Sequence, residues 1–144
     1  MQIKTKLINH LMLNGKKETG EKNLLKSIKE LQKNSNKRSN GIVQLALIHS
    51  TPVFKLHRIK NKNRKKNNKF REIPGFIKNK EARTSRAIKF ILLNTKKKGE
   101  SFVKKFNKEI FKNAQIKGIS IETKNELQKS VLTKKHFFLY YRWN

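Results

Sequence analysis

The sequence contains no cysteine and no aspartate, and only two prolines and six glycines in 144 residues. Without cysteine, disulfides and thiolate metal sites are excluded. Without aspartate, nine glutamates are the only acidic side chains, and they face 37 lysines and arginines. No apolar run approaches the roughly 20 residues of a membrane-spanning helix, and the basic residues are scattered over every segment, so a membrane partner is disfavoured. A formal net charge of +28 therefore indicates a polyanionic partner, with nucleic acid as the first candidate.

Patterns that would support catalysis are also missing. The glutamates are spread along the chain, mostly at predicted helix starts or beside lysines, where capping and charge pairing explain them. The four histidines, His10, His49, His57 and His136, share no metal-ligand spacing and are interpreted as packed or surface residues. No glycine-rich phosphate loop is present. The sequence therefore predicts no catalytic residue, no metal ligand and no cofactor.

Apolar residues at helical spacing predict six helices. The predicted boundaries are Asn14-Gly15 after the first helix, Thr19 at the start of the second, Ser39 or Asn40 before the third, Thr51-Pro52 after the third, Asn79 before the fourth, Gly118 after the fifth, and a capping box from Thr123 to Glu126 at the start of the sixth. On the fourth helix the predicted buried face consists of Ala87, Ile88, Ile91 and Leu92.

Residues 53–77 break the helical pattern. The extended runs VFKLHRI and FREIPGFI are joined by the polar tip KNKNRKKNNK, residues 60–69, which predicts a two-stranded β-ribbon. Pro74 and Gly75 weaken the second strand, so we expect an edge strand or a bulge there. The predicted fold is mainly α, a six-helix bundle with a β-ribbon protruding between the third and fourth helices, in one domain spanning residues 1–144.

Between Lys55 and Arg71 the ribbon carries nine lysines and arginines and no acid. They are Lys55, Arg58, Lys60, Lys62, Arg64, Lys65, Lys66, Lys69 and Arg71. A disordered, solvated loop is the simpler interpretation of the tip alone, but the flanking apolar positions favour a projecting finger that follows phosphates. The helical residues Arg83, Arg86, Lys89, Lys96, Lys97 and Lys98 extend the predicted phosphate-binding surface.

Five of the twelve aromatic residues lie between Phe137 and Trp143. We expect Phe137 and either Tyr140 or Tyr141 to close the core against helices, in preference to stacking on bases. Arg142 and Trp143 are placed to reach a phosphate or a ribose.

Several segments, taken together and in order, are similar to a known family. INHLMLNGKKETGEKNLL, LALIHSTPVFKLHRI, FREIPGFI, ARTSRAIKFILL, KKKGESFVKKFNKEI, NAQIKGISIETK and the terminal YYRW resemble small-subunit ribosomal protein seven of the bacterial type. The family fold has six helices and a long β-ribbon between the third and fourth. The resemblance implies binding to the 3′ major, or head, domain of small-subunit ribosomal RNA, support of head assembly beside neighbouring head proteins, and a ribbon near the messenger exit and the exit-site transfer RNA.

The resemblance also implies phosphate and sugar contacts for particular residues, within a folded RNA read mainly by shape. By position these are Lys16 and Lys17 of the GKK turn, Lys55 and Arg58 of the first strand, Arg83 and Arg86 of the fourth helix, and Arg142 of the terminal YRW. The tip of the ribbon is longer and more basic than is usual in the family, so we expect a different or extended target for it.

Composition suggests where such a protein works. Lysine outnumbers arginine 30 to 7 and asparagine reaches 16 residues, a bias typical of an A/T-rich coding genome. This favours a mitochondrial ribosome, with a plastid or the bacterial cytoplasm as alternatives. A free-standing RNA-binding regulator or RNA chaperone is the second functional hypothesis, and an enzyme acting on RNA is the third.

Overall fold

The computed structural model describes residues 3–35, 39–60, 70–95 and 100–140. The elements in chain order are α1 (Ile3–Leu11), α2 (Lys17–Asn34), α3 (Ser39–Ser50), β1 (Phe54–Lys60), β2 (Phe70–Phe76), α4 (Lys80–Thr95), α5 (Phe102–Ala114), α6 (Ile119–Thr133) and a C-terminal 3-10 helix (Lys135–Tyr140). This confirms the predicted mainly α fold with a ribbon between the third and fourth helices. No described helix has both the length and the apolar character needed to cross a membrane.

The core forms where the apolar stripes of the first five helices meet. α5 packs against α2, α3 and α4, and its residues Phe106 and Ile110, one helical turn apart, are fully buried between them. The face predicted on α4 is confirmed, because Ile88 and Ile91 are fully buried and the two neighbouring predicted positions are buried as well. The Asn79 side chain caps this helix by accepting a hydrogen bond from the Glu81 backbone N–H at 2.8 Å.

The two strands of the ribbon pair in antiparallel register without a bulge, from Phe54 opposite Phe76 to Lys60 opposite Phe70. The Ile77 N–H donates to the Val53 carbonyl at 2.9 Å, so hydrogen-bonded pairs fall at odd-numbered positions of β1. Pro74, opposite Leu56, therefore occupies a non-hydrogen-bonded pair, and its missing N–H removes no bond from the ladder. In this two-stranded sheet both strands are edges, which accommodates the proline as expected.

The sixth helix begins at Ile119, so the predicted capping box at Thr123 is wrong. Thr123 lies inside the helix, where its hydroxyl donates to the Ile119 carbonyl one turn earlier. The start of α6 is capped from α5 instead: the buried Glu109 carboxylate accepts hydrogen bonds from the Ser120 backbone N–H at 2.9 Å and from the Ser120 hydroxyl at 2.6 Å. The sequence pattern failed because the capping group is distant in the chain.

The fifth helix ends at Ala114, earlier than the predicted stop at Gly118. Ile116 has a φ of +63°, and Gly118 is the residue before α6. A Cβ added to Gly118 would lie 1.7 Å from Oδ1 of Asn113, whose side chain is fully buried. Gly118 is thus required by close packing between the two helices rather than by a helix end.

Phe137 and Phe138 pack on the ribbon, which corrects the expectation that Phe137 closes the core against helices. The side chain of Tyr140 is not among those that the structure describes. The Phe138 ring lies 6.1 Å from that of Phe54 and 5.8 Å from that of Phe76, and the latter two rings are 4.6 Å apart. The three rings form one aromatic cluster at the base of the ribbon. Phe137 instead lies under the Arg71 guanidinium at 4.2 Å. Tyr141, Arg142 and Trp143 lie outside the described residues.

Candidate nucleic-acid interface

Half of the predicted RNA-binding residues lie in the described part of the chain, on α2, the ribbon strands and α4. Lys16 and Lys17 are exposed at the start of α2, after two residues with positive φ, Asn14 and Gly15, and Lys60 is exposed at the end of β1. The remaining predicted residues, Lys62, Arg64, Lys65, Lys66, Lys69, Lys96, Lys97, Lys98 and Arg142, lie outside the described residues and stay predictions.

One cationic group forms where the ribbon meets α4. Lys55 and His57 project from the same side of β1, because side chains alternate along a strand. The pKa of His57 is lowered below its usual 6.5, first by partial burial and then by the nearby charges of Lys55 and Arg86. The side chains of Lys55 and His57 on β1 are thus close to Arg86 on α4, although the two elements are distant in sequence.

A second cationic group forms where α1 meets α4. Lys6 and His10 are one helical turn apart on α1, and Lys89 lies on α4. Burial, then Lys89, then Lys6 lower the pKa of His10. Lys6 is buried along its stem, and its ammonium donates to the Glu81 carbonyl at 3.3 Å and lies 3.6 Å from the Glu81 carboxylate.

The α4 helix joins these two groups, because Arg86 belongs to the first and Lys89 to the second. We call the combined surface the cationic face and define it by Lys55, His57, Arg86, Lys89 and His10. The histidine pKa values below 6.5 keep both imidazoles mostly neutral at pH 7, so the lysines and Arg86 supply the charge. Cations spread along a surface in this way bind phosphates and position a protein on RNA, without reading bases.

Arg58 projects from the opposite side of β1 to Lys55 and His57, and it makes contacts within the protein. Arg58 Nε donates to the Glu72 carboxylate at 3.0 Å, and the Lys134 ammonium donates to the other oxygen of the same carboxylate. The Lys134 hydrogen bond first, and then that of Arg58, hold the pKa of Glu72 below its usual value. We call Arg58, Glu72 and Lys134 the ribbon clasp, since it ties both strands to the end of α6.

Arg83 was predicted to contact phosphate, but its guanidinium is engaged inside the protein. Its Nε donates to the Ile77 carbonyl at 2.5 Å, which holds the end of the ribbon against α4. The side chain is half-buried, so part of the guanidinium fork remains at the surface. Its first role is therefore to position the ribbon, and its phosphate contact stays a prediction.

Comparison with known proteins identifies the family. The model of the family described as Ribosomal protein S7p/S5e matches residues 1–135. The chain belongs to this ribosomal protein family. It is 29% identical over 143 residues to the small ribosomal subunit protein uS7 of Wigglesworthia glossinidia brevipalpis, 26% identical over 143 residues to that of Desulforamulus reducens, and 24% identical over 142 residues to that of Heliobacterium modesticaldum. Each alignment covers 99% of this chain and 87% of the relative.

Membership in the S7p/S5e family makes the chain a structural constituent of the small ribosomal subunit. These three relatives are bacterial, so they support a ribosomal location without distinguishing an organelle from a bacterium. Among the described residues, no group of three or more acidic or histidine side chains is arranged to hold a metal ion.

Sequence reasoning missed several members of the interface. His10 and His57 were interpreted as ordinary packed or surface residues, and Lys6, Glu72 and Lys134 were not singled out. Two signals were available: His57 alternates with Lys55 along a predicted strand, and His10 follows Lys6 by four residues on a predicted helix. The contact of Lys134 with Glu72 joins residues 62 positions apart, and no local pattern predicts it.

Proposed function

We propose that this S7p/S5e-family chain, acting as one domain over residues 1–144, binds the head domain of small-subunit ribosomal RNA through the cationic face and supports assembly of the head. The observation that carries the proposal is the packing of α1 and of the end of the ribbon against α4. This packing brings cations of the three elements onto one surface, with Arg86 and Lys89 on the shared helix. Folded RNA presents phosphates and 2′-hydroxyls at fixed positions, so a rigid cationic surface recognises it by shape.

The rigidity of the surface supports this function. Arg83 ties the ribbon to α4, while the ribbon clasp and the aromatic cluster tie it to the C-terminal segment. Lys55 on β1 and Arg86 on α4 are therefore held in a fixed relation before RNA binds. Pre-organised contacts lose less conformational entropy on binding than flexible lysines do.

A charge-neutralising variant tests the cationic face. The triple change Lys55→Gln, Arg86→Gln and Lys89→Gln removes up to three phosphate contacts, which lowers the salt exponent of binding by about 2 to 3. The measurement is the affinity for a 3′ major domain RNA fragment at salt concentrations from about 50 to 300 mM, a range over which the affinity of such electrostatic complexes falls steeply.

The matched control removes the same net charge from α2, which packs on α1, α3 and α5. It carries Lys26→Gln, Lys29→Gln and Lys33→Gln, all at exposed positions. We expect the control to keep the salt exponent of the wild-type chain and its preference for the 3′ major domain over a fragment of equal length from another domain. Equal losses in the two triple variants would show that total charge, and not the cationic face, determines binding.

For the ribbon tip, residues 60–69, we propose a place near the messenger exit and the exit-site transfer RNA, supported by the family resemblance and by the exposure of Lys60 where the described part of the ribbon ends. Deletion of the tip should leave incorporation into small subunits largely intact and weaken cross-links to messenger near the exit. Failed incorporation would make the tip an assembly anchor.

For its location we propose the mitochondrial ribosome, on the strength of the lysine and asparagine bias, with a plastid or bacterial cytoplasmic ribosome as the alternatives. Gradient centrifugation of source-cell and organelle lysates distinguishes a ribosomal constituent in any of these compartments from a free-standing regulator. A ribosomal constituent sediments with small subunits of one compartment in equimolar amount, whereas a regulator remains in light fractions or is substoichiometric.

A further inference from the structure

The α3 helix is unusual in this chain because its twelve residues include no lysine, arginine or glutamate. A chain with 37 basic residues in 144 would place about three of them in such a stretch. The helix still has a solvent-facing stripe, and its apolar members there are Leu45 and Ile48, the latter 65% exposed. A surface without cations next to exposed aliphatic side chains is poorly suited to phosphates and well suited to an apolar contact.

A third exposed aliphatic residue, at the end of α5, is held in a strained conformation. α5 ends in a Schellman motif, with the Lys117 N–H donating to the Lys112 carbonyl at 2.8 Å and the Ile116 N–H donating to the Asn113 carbonyl at 3.1 Å. The left-handed position of this motif normally takes glycine or asparagine, but here it is Ile116, with φ +63° and 63% exposure. A β-branched residue at positive φ is a genuine outlier, and this one buries little in return.

Hydrogen bonds hold the two features at the same end of the helical body. His49 Nδ1 lies 3.0 Å from the Asn113 carbonyl oxygen, which also accepts from Ile116. The Lys124 ammonium of α6 donates to the His49 carbonyl. Because His49 directly follows Ile48, the end of α3 is fixed against the turn that carries Ile116. We define the apolar ridge as Leu45, Ile48 and Ile116.

The charges around the apolar ridge indicate what covers it. A second copy of the chain is disfavoured, because two bodies of formal charge +28 repel each other. RNA is disfavoured because neither the ridge residues nor any other residue of α3 offers a lysine or arginine to a phosphate. Lys117 directly follows Ile116, and the Lys124 ammonium contacts the His49 carbonyl, so both lie at the margin of the ridge, where they complement carboxylates. We propose that the apolar ridge docks a neighbouring protein of the small subunit through apolar side chains flanked by acidic residues, which rests on the proposed function.

Site-specific photo-cross-linking in intact small subunits tests this inference. A photoreactive phenylalanine analogue replaces Ile48 in one variant, Leu93 in a second and Lys89 in a third. Leu93 is the matched control, since it is 64% exposed and lies on α4. We expect position 48 to cross-link to one stoichiometric small-subunit protein, at a peptide with apolar and acidic residues, and position 89 to cross-link to ribosomal RNA.

A substitution at Ile116 separates docking from folding. Ile116→Asn suits the left-handed conformation and removes the apolar side chain, so the isolated chain should unfold at the same or a higher urea concentration. The same variant should reduce the protein cross-link from position 48 by about tenfold, as loss of a central apolar contact does in other interfaces. The cross-link from position 89 should not change.

Three outcomes would contradict the inference: cross-linking of position 48 to RNA, its cross-linking to a second copy of the chain, or the same protein yield from positions 48 and 93. Absence of RNA cross-links from position 89, or absence of the chain from small subunits, would instead contradict the proposed function. The two failures are therefore distinguishable.

Discussion

Glu72 is the only acidic residue between residues 53 and 77, and it holds the ribbon clasp together. Changing Glu72 to Gln keeps the size of the side chain but removes the charge that pairs with Arg58 and Lys134. Two consequences follow: the ribbon is tied less firmly to α6, and two cations are released for phosphate binding. The same substitution is thus expected to weaken the fold and to strengthen non-specific RNA binding.

The magnitude follows from the exposure of the partners. The Arg58 side chain is 74% exposed, so its pair with Glu72 contributes only a few tenths of a kcal/mol. The Lys134 and Glu72 side chains are 31% and 29% exposed, so this pair is less screened and the clasp as a whole contributes about 1 kcal/mol. Glu72→Gln should lower the free energy of unfolding by that amount, measured by urea denaturation at pH 7.

The pH dependence of this difference has a definite sign. The folded-state pKa of Glu72 is lowered from 4.5, so its contribution is fully present above that value and is lost as the pH falls through the lower folded pKa. The difference in unfolding free energy between the two chains should therefore shrink below pH 4.5. In RNA binding, the freed cations should raise the salt exponent by about 1 to 2.

Glu126→Gln is the matched control, since it removes one negative charge from an exposed position on α6. It should leave stability almost unchanged and the salt exponent close to that of the wild-type chain. If Glu72→Gln and Glu126→Gln behaved alike in urea and in salt titrations, the ribbon clasp would have no energetic role and the reasoning would be refuted.

Three further predictions concern packing and protonation. Gly118→Ala should lower the unfolding free energy by about 2 to 4 kcal/mol in urea. Adding Asn113→Ala should restore part of it, because this change removes Oδ1 and Cγ of residue 113 and leaves its backbone nitrogen, 3.1 Å away, as the nearest atom to the new Cβ. The folded-state pKa values of His10 and His57 are lowered, so the free chain should lose stability as the pH falls below 6.5. Its affinity for RNA should rise over the same range, because the protonated imidazoles add positive charge. A chain with both histidines changed to Gln should show neither trend. Phe138→Ala should speed hydrogen exchange in both ribbon strands more than in α5, at a cost of about 1 to 2 kcal/mol; equal acceleration in α5 would argue against a local role for the aromatic cluster.

The ribbon and the buried face of α4 could be predicted because their signals are local. Alternation in VFKLHRI and FREIPGFI indicates strands, and the spacing of Ile88 and Ile91 indicates one helical face. The start of α6 could not be predicted in this way. Its capping group is the Glu109 carboxylate on another helix, and Thr123 matches a capping-box pattern without forming a cap.

The candidate site was predicted in composition but not in arrangement. Lys55 and Arg58 both belong to the basic cluster of the sequence, yet they project from opposite sides of β1 and have different surroundings. The aromatic C-terminus shows the same limit, since Phe137 was expected to pack against helices but lies against Arg71 of the ribbon instead. Contacts between distant segments depend on how the elements pack, which a single sequence does not encode locally.

Pro74 has a consequence for how the ribbon sits on the helices. In a non-hydrogen-bonded pair the backbone N–H points away from the partner strand. Because Pro74 is fully buried, any other residue at this position would point its N–H into a region that water does not reach, and that donor would lack a hydrogen-bond partner. Proline has no such donor, and the outer margin of β2 can therefore lie against the protein without an unsatisfied amide. The residue that looked like an interruption of the strand is the one that allows the strand to be covered.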